Sequence, residues 1–233
     1  MIEGRIHAAM LAGEFPVLVS LGRHDIELAQ AAVDAGAFGL KFHLNAYHRA
    51  SGNSFGSFTE ERPFIEKLAR LGKPMLVMSG QETQPSLAEL EALADYGVEG
   101  WNIYLKHVQP YMYESRLRPI LALDSESDEA DLRRIAAIPG AMLEASVGRF
   151  ADYGAPLLAA DLARYREIVE QSGLPVIAPS QKRFTAADMP RLRAAGIGAI
   201  LCGIIVTGLD PHAARAALEP IVAAAAGAAA PRP

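Results

Sequence analysis

Apolar residues fall along the chain in eight short runs: 15–22 (FPVLVSLG), 38–45 (FGLKFHLN), 73–80 (KPMLVMSG), 99–107 (EGWNIYLKH), 118–124 (RPILALD), 140–147 (GAMLEASV), 174–180 (LPVIAPS) and 198–204 (GAILCGI). Runs this short, and mostly without strict alternation, read as parallel strands buried on both faces. The segments between them carry apolar residues at helical spacing: 25–37, 86–97, 128–140, 161–173 and 185–196. Each begins with Asp, Ser or Thr as an N-cap, and most close at Gly. The link at 108–117 (VQPYMYESRL) is the weakest helix of the series. Strand followed by helix, eight times over, is the order of a single-domain α/β protein of the (β/α)8 TIM-barrel class, with an open doubly wound sheet as the alternative. Residues 2–14 predict a short N-terminal helix closing the barrel bottom. The barrel is expected over 1–225, and 226–233 read as a disordered low-complexity tail.

Composition narrows the function. Of the 233 residues 51% are hydrophobic and 21% charged, which suits a globular chain with a sizeable core. A net charge of −5 with no long basic run argues against nucleic acid as a partner. No apolar stretch approaches the roughly 20 residues of a membrane-spanning helix, so no membrane partner is expected. The N-terminus lacks the apolar segment of a signal peptide, and the lone Cys202 can form no intrachain disulfide. A cytoplasmic location is the resulting expectation.

The polar residues inside or just after these runs change the picture from fold to chemistry, because barrel enzymes bind substrate at the C-terminal ends of their strands. Lys41, His43 and Asn45 alternate with Phe42 and Leu44, so three polar groups share one face of an otherwise apolar strand. Other strand ends supply Ser20, Asn102, Tyr104, Lys106, Asp124, Glu126, Glu144 and Arg149. A desolvated lysine near other cations can act as base or Schiff-base nucleophile, with His43 beside it and Glu144 or Asp124 exchanging protons with substrate. The alternative is a buried polar layer in which Lys41 pairs with a carboxylate such as Glu144 and serves stability. His43 and His48 with Glu82, Asp124 or Glu144 could instead ligate a divalent metal, although no paired zinc-type spacing is present. His7 and His212 read as surface residues on outer helices.

After the second run comes NAYHRASGNSFGSFTEERP, residues 45–63, read as a long irregular loop. With His48 and Arg49 near its start and glycines at 52 and 56, the segment 46–63 is expected to act as a lid over the substrate.

The last two units, GLPVIAPSQKRFTAADMPRLRAAGIGAILCGIIVTG, resemble the ribulose-phosphate-binding barrels, the group that includes thiamine-phosphate synthase and N-acetylmannosamine-6-phosphate epimerase. AQAAVDAGAFGLKFHLN is similar to the entry into their second strand. The resemblance implies that backbone amides after the seventh and eighth strands hold a substrate phosphate, here at Ser180, Gln181, Gly203 and Ile204. The seventh turn reads PSQKR where that group commonly has Gly-Gly or Glu-Gly, leaving Lys182 or Arg183 to supply charge. Its catalytic residues do not carry over. Val77 or Met78 stands where the epimerase lysine would be, Ser180 or Gln181 where its glutamate would be, and the synthase's acidic magnesium ligands have no counterpart.

The expected function is therefore an enzyme acting on a small phosphorylated carbohydrate or related metabolite, by lyase (aldol-type) or isomerase chemistry. Lys41, His43, Glu144 and Asp124 would be its catalytic groups. Asn45, His48, Arg49, Lys106, Arg149, Ser180, Gln181, Lys182, Gly203 and Ile204 would bind substrate. No cofactor is required in this reading, a divalent metal belongs to the second, and the third is a non-catalytic sugar-phosphate sensor. A homo-oligomer is compatible with all three.

Overall fold

Each of the eight apolar runs forms one strand of a closed parallel barrel in the computed structural model, which describes residues 3–124 and 127–228. The strands are β1 (Val17–Ser20), β2 (Gly39–His43), β5 (Met75–Met78), β6 (Val98–Tyr104), β7 (Arg118–Leu123), β8 (Met142–Ala145), β9 (Val176–Pro179) and β10 (Ala199–Cys202). Between β2 and β5 lies a separate antiparallel hairpin of β3 (Ala46–His48) and β4 (Asn53–Phe55). Around the barrel, β1 pairs with both β2 and β10, closing the sheet in the order β1-β10-β9-β8-β7-β6-β5-β2.

Alternation along the strands makes two layers. Val17, Val19, Leu40, Phe42, Val77, Trp101, Ile103, Leu121, Leu143, Val176 and Ile200 belong to the large core between strands and helices. Leu18, Leu76, Ile120, Met142, Ile177, Ala199 and Leu201 form a second, smaller core inside the barrel. The bottom of this inner core is plugged by helix α1 (Arg5–Leu11), whose Ile6 and Met10 are buried in it. The expected N-terminal helix is therefore present, and Glu99 pins it by accepting the Ile6 amide at 3.0 Å and Arg5 Nε at 3.2 Å. Gly39 and Gly100 occupy inward positions on β2 and β6 where an added Cβ would lie 2.8 Å from the Pro74 and Arg118 carbonyls.

The outer helices are α2 (Ile26–Asp34), α3 (Phe58–Ala69), α4 (Leu87–Asp95), α5 (Glu129–Ala136), α6 (Ala159–Ser172), α7 (Met189–Ala194), α8 (Ile204–Thr207) and α9 (Pro211–Ala228). The caps expected at Asp25, Ser86 and Asp128 are made: each side chain accepts an amide of the first turn. Helix α6 starts at Ala159 rather than at Asp161, which sits in the first turn and accepts the Leu158 amide at 2.8 Å. The weak link after β6 is two short 3-10 turns, Leu105–His107 and Pro110–Glu114. Helix α9 runs to Ala228, past the expected boundary at 225. The remainder of the expected tail, 229–233, and Glu126 lie outside the described residues.

The segment 46–63 is not an irregular loop. Its first part is the β3–β4 hairpin, turning through Gly52 at φ 72°, and from Phe58 it is already helix α3. Ser57 and Glu60 form a reciprocal capping box, and Phe58, Ile65 and Leu68 are buried. Pro63 is carried inside the helix. Among the described residues no helix is long and apolar enough to cross a membrane.

Candidate active site

A cavity of about 670 Å³ opens at the C-terminal ends of the barrel strands, a size suited to a small metabolite. Lys41, His43, His48, Arg49, Asp124, Glu144, Arg149, Ser180, Gln181, Gly203 and Ile204, all expected site residues, line it. Ser20, Asn102, Tyr104, Ser146 and Tyr153 join them.

At its floor, Lys41 Nζ donates to Glu144 Oε2 at 2.7 Å and to Asn102 Oδ1 at 2.6 Å, joining strands β2, β8 and β6 across the barrel. Lys41 is 4% exposed and Glu144 8%, so the pair is largely withdrawn from water although it faces the cavity. The Asn102 amide is oriented from behind, its Nδ2 donating to the Ile120 carbonyl at 2.9 Å. Asn102 thus shows its oxygen to the lysine, and the three side chains form one fixed polar unit. Such a unit can exchange a proton between amine and carboxylate and hold an electronegative atom of a ligand above it.

Beside it lies a cluster of imidazoles. His43 stacks on Phe55 of the hairpin with centroids 4.9 Å apart, and its ring lies 4.7 Å from that of His48. Burial first, then His48, Lys41 and His24, holds His43 well below the usual imidazole range, so it is neutral at pH 7. Among the described residues its buried Nδ1 has no hydrogen-bond partner. Burial and Lys41 push His48 down to about 4. His24 lies outside the cavity lining and ties the hairpin region to the barrel. Its Nε2 accepts the His43 amide at 3.4 Å, its Nδ1 lies 2.5 Å from Glu61 Oε2, and its ring stacks on Phe64 of α3 at 4.3 Å.

The far wall carries hydroxyls. Tyr104 is pushed up by burial and by Glu144, Tyr153 and Asp124, so its phenol stays protonated. The turns after β9 and β10 are tied together where Ser180 Oγ accepts the Gly203 amide at 2.7 Å. The Ser180 and Gln181 amides, also expected to hold phosphate, donate instead to the Leu201 and Pro179 carbonyls at 2.9 Å, which leaves the start of α8, whose residues Ile204 and Ile205 line the cavity.

Three expected site residues lie elsewhere. Asn45, at φ 47°, is a hinge of the hairpin, its amide donating to the Gly56 carbonyl at 2.8 Å and its Nδ2 to the Ser79 carbonyl at 3.3 Å. Lys106 lies in the 3-10 turn after β6 and lines a neighbouring pocket of about 230 Å³ with Asp124, Ser127 and Asp131. Lys182 is buried against α6, its ammonium 3.8 Å from Asp161 Oδ2. The alternation that brings Lys41 and His43 inward ends with the strand at His43, so it no longer governs Asn45. The metal-ligand groupings weighed above are not assembled: among the described residues no three His, Cys, Asp or Glu side chains are gathered to hold an ion. The Cys202 thiol is pushed up to about 12 by burial.

No family model and no curated protein matches the sequence. Solved structures do. Thiamine phosphate pyrophosphorylase from Pyrococcus furiosus matches with a TM-score of 0.65 at 14% identity, over 92% of this chain and 97% of that one. Tryptophan synthase from Mycobacterium tuberculosis matches with a TM-score of 0.72 at 15% identity, over 96% and 98%. (S)-3-O-geranylgeranylglyceryl phosphate synthase from Thermoplasma acidophilum, in complex with its substrate sn-glycerol-1-phosphate, matches with a TM-score of 0.59 at 11% identity, over 95% and 97%. At these identities the likeness is one of fold, and it agrees with the closed (β/α)8 barrel described above.

Proposed function

We propose that the protein is an enzyme acting on a small phosphorylated metabolite, by lyase or isomerase chemistry at the Lys41–Glu144 pair. One observation carries the reading. A lysine, a carboxylate and an oriented amide are buried together at the floor of an open cavity, on the barrel face where enzymes of this fold work. A pair serving stability alone has no need of a cavity above it, and a buried ion pair is seldom better for stability than apolar packing.

The substrate phosphate would lie toward the turns after β9 and β10, where the Ile204 and Ile205 amides begin a helix and the Ser180 hydroxyl faces the cavity. Two structural neighbours support a phosphorylated ligand: one is named for a phosphorylated compound, and another holds a glycerol phosphate substrate. The reacting carbons would then reach the floor. To attack a carbonyl, Lys41 must give up a proton, and Glu144 at 2.7 Å is placed to take it. As a proton-transfer catalyst the same pair would take a proton from one carbon and return it to another. His43, held neutral, would hydrogen-bond rather than carry charge.

The two chemistries separate in one experiment. Borohydride added with a panel of phosphorylated aldehydes and ketones should add the ligand's mass less one oxygen at Lys41 if an imine forms, water being lost and two hydrogens gained. Hydrogen exchange from the ligand's carbon without such an adduct would mark proton transfer. If neither occurs with any ligand that binds, the enzymatic reading fails.

A further inference from the structure

One group in the cavity has its hydrogen-bond direction set by the backbone. Gln181 Oε1 accepts the Gly148 amide at 3.1 Å, and a backbone N–H can only donate. The other end of that carboxamide is therefore nitrogen, which donates to Tyr153 Oη at 2.8 Å. A phenol both donates and accepts. With Gln181 on its accepting side, the Tyr153 proton is left to be given, and Gln181 is the hydroxyl's hydrogen-bond partner among the described residues.

The phenol is also held in place. Its ring lies 5.0 Å from that of Phe150, over which the Arg49 guanidinium of the hairpin sits at 4.2 Å. Tyr153 lines the same cavity as Lys41, Glu144 and Tyr104. Burial raises its pKa, as do Glu144 and Asp124, against the opposing effects of Gln181 and Arg49, so the hydroxyl keeps its proton at neutral pH.

We propose that Tyr153, oriented by Gln181, is a substrate-contacting hydrogen-bond donor, and that its ligand is a small phosphorylated compound bearing a carbonyl oxygen. A group with only a proton to offer is best matched by an oxygen with only lone pairs. A ligand hydroxyl would bring a further proton in need of an acceptor. A donor to a carbonyl oxygen also complements a carboxylate able to take a proton from the adjoining carbon, and Glu144 supplies that carboxylate. The inference rests on the phosphorylated-substrate reading. Gln181 is on it a positioning residue.

The test uses two probes, inorganic phosphate and dihydroxyacetone phosphate, each titrated by amide chemical shifts into the wild-type protein and into Tyr153→Phe. The expected result is that the wild type holds the phosphoketone more tightly than phosphate, and that Tyr153→Phe weakens the phosphoketone about five-fold while leaving phosphate within about two-fold. Gln181→Met, which keeps the phenol and frees it, should give a smaller selective loss. It should also raise the pH at which the tyrosinate absorbance assigned to Tyr153, with Tyr153→Phe as blank, appears. Should Tyr153→Phe not fold, the selective loss of phosphoketone affinity in Gln181→Met decides the matter. Equal affinity of the wild type for both probes, or no selective loss in the variants, overturns the donor role and leaves phosphate binding standing. If the wild type binds neither probe, the phosphorylated-substrate reading falls, and the inference with it.

Discussion

The bottom and the mouth of the barrel are built from the same strands, two residues apart, and could hardly differ more. Inward positions near the bottom are Leu18, Leu76, Ile120, Met142, Ile177 and Ala199, sealed by Ile6 and Met10 of α1. Two residues further along the same strands stand Ser20, Met78, Ala122, Glu144, Pro179 and Leu201, and β2 and β6 bring Lys41 and Asn102 to the same face. The side-chain period of two keeps each pair on one face, so what changes is depth alone. Below, the inward side chains are apolar and buried. Above, the cavity supplies solvent, and polar groups survive by bonding one another. A strand in this fold is structural at one end and chemical at the other.

The largest expected effects come from the Lys41–Glu144 pair. Lys41→Met and Glu144→Leu should each lower turnover of the true substrate by about 10²–10⁴-fold, measured as steady-state rate. Each should also lose about 3–5 kcal/mol in urea unfolding, because the remaining partner is left buried and unpaired. The double variant should return close to wild-type stability while staying inactive. A double variant as unstable as the singles would mean that the pair's worth is not mutual.

Ile120→Ala acts at the bottom of the barrel. It empties part of the inner core and should cost about 2–5 kcal/mol. Ligand binding measured well below the unfolding transition should be nearly unchanged.

Acid should act at the mouth before it acts at the bottom. His24, His43 and His48 all have folded-state values below that of a free imidazole, with His48 at about 4. The unfolded chain therefore takes up protons that the folded chain refuses. Stability is fully present above pH 6.5 and is lost as pH falls from there toward 4. For His48 alone the loss is on the order of 3 kcal/mol. Chemical denaturation at pH 7, 5.5 and 4 should show the decline, and His48→Phe should flatten it.

The smallest effect is expected at the rim. Arg49→Ala removes the contact between hairpin and Phe150, worth about 0.5–1 kcal/mol at an exposed site. It should raise hydrogen exchange in 46–55 with little change in the global midpoint.

Much of this was legible in the chain. Seven of the eight strands fall within the runs that announce them and β6 starts one residue before its run, because a parallel strand buried on both faces tends to a continuous apolar run. Lys41 and His43 were recognisable as inward groups by the same logic. What escaped was local structure at the barrel's edge. The capping box at Ser57 and Glu60 and the helical spacing of Phe58, Ile65 and Leu68 belong to α3, but the Ser/Gly-rich stretch before them reads as loop. Asn45, Lys106 and Lys182 carried the right chemistry beyond or just after their strands, where alternation no longer says which way a side chain points. Tyr153 and Gln181, 28 residues apart, give no joint signal in sequence.

The sequence by itself determined the count of strands, their inward and outward faces, and the presence of a lysine and a carboxylate at strand ends, since these follow from periodicities of two and 3.6 and from the cost of burying polar groups. Only the tertiary structure decided that Lys41 on β2 meets Glu144 on β8, 103 residues later, with Asn102 between them. It alone turned Lys182 away from the cavity and brought Arg49 of the hairpin over Phe150. Those contacts depend on how a closed sheet of eight staggered strands places distant residues at one height, and on which wall each loop finds to pack against. Neither quantity is written in any local stretch of the chain.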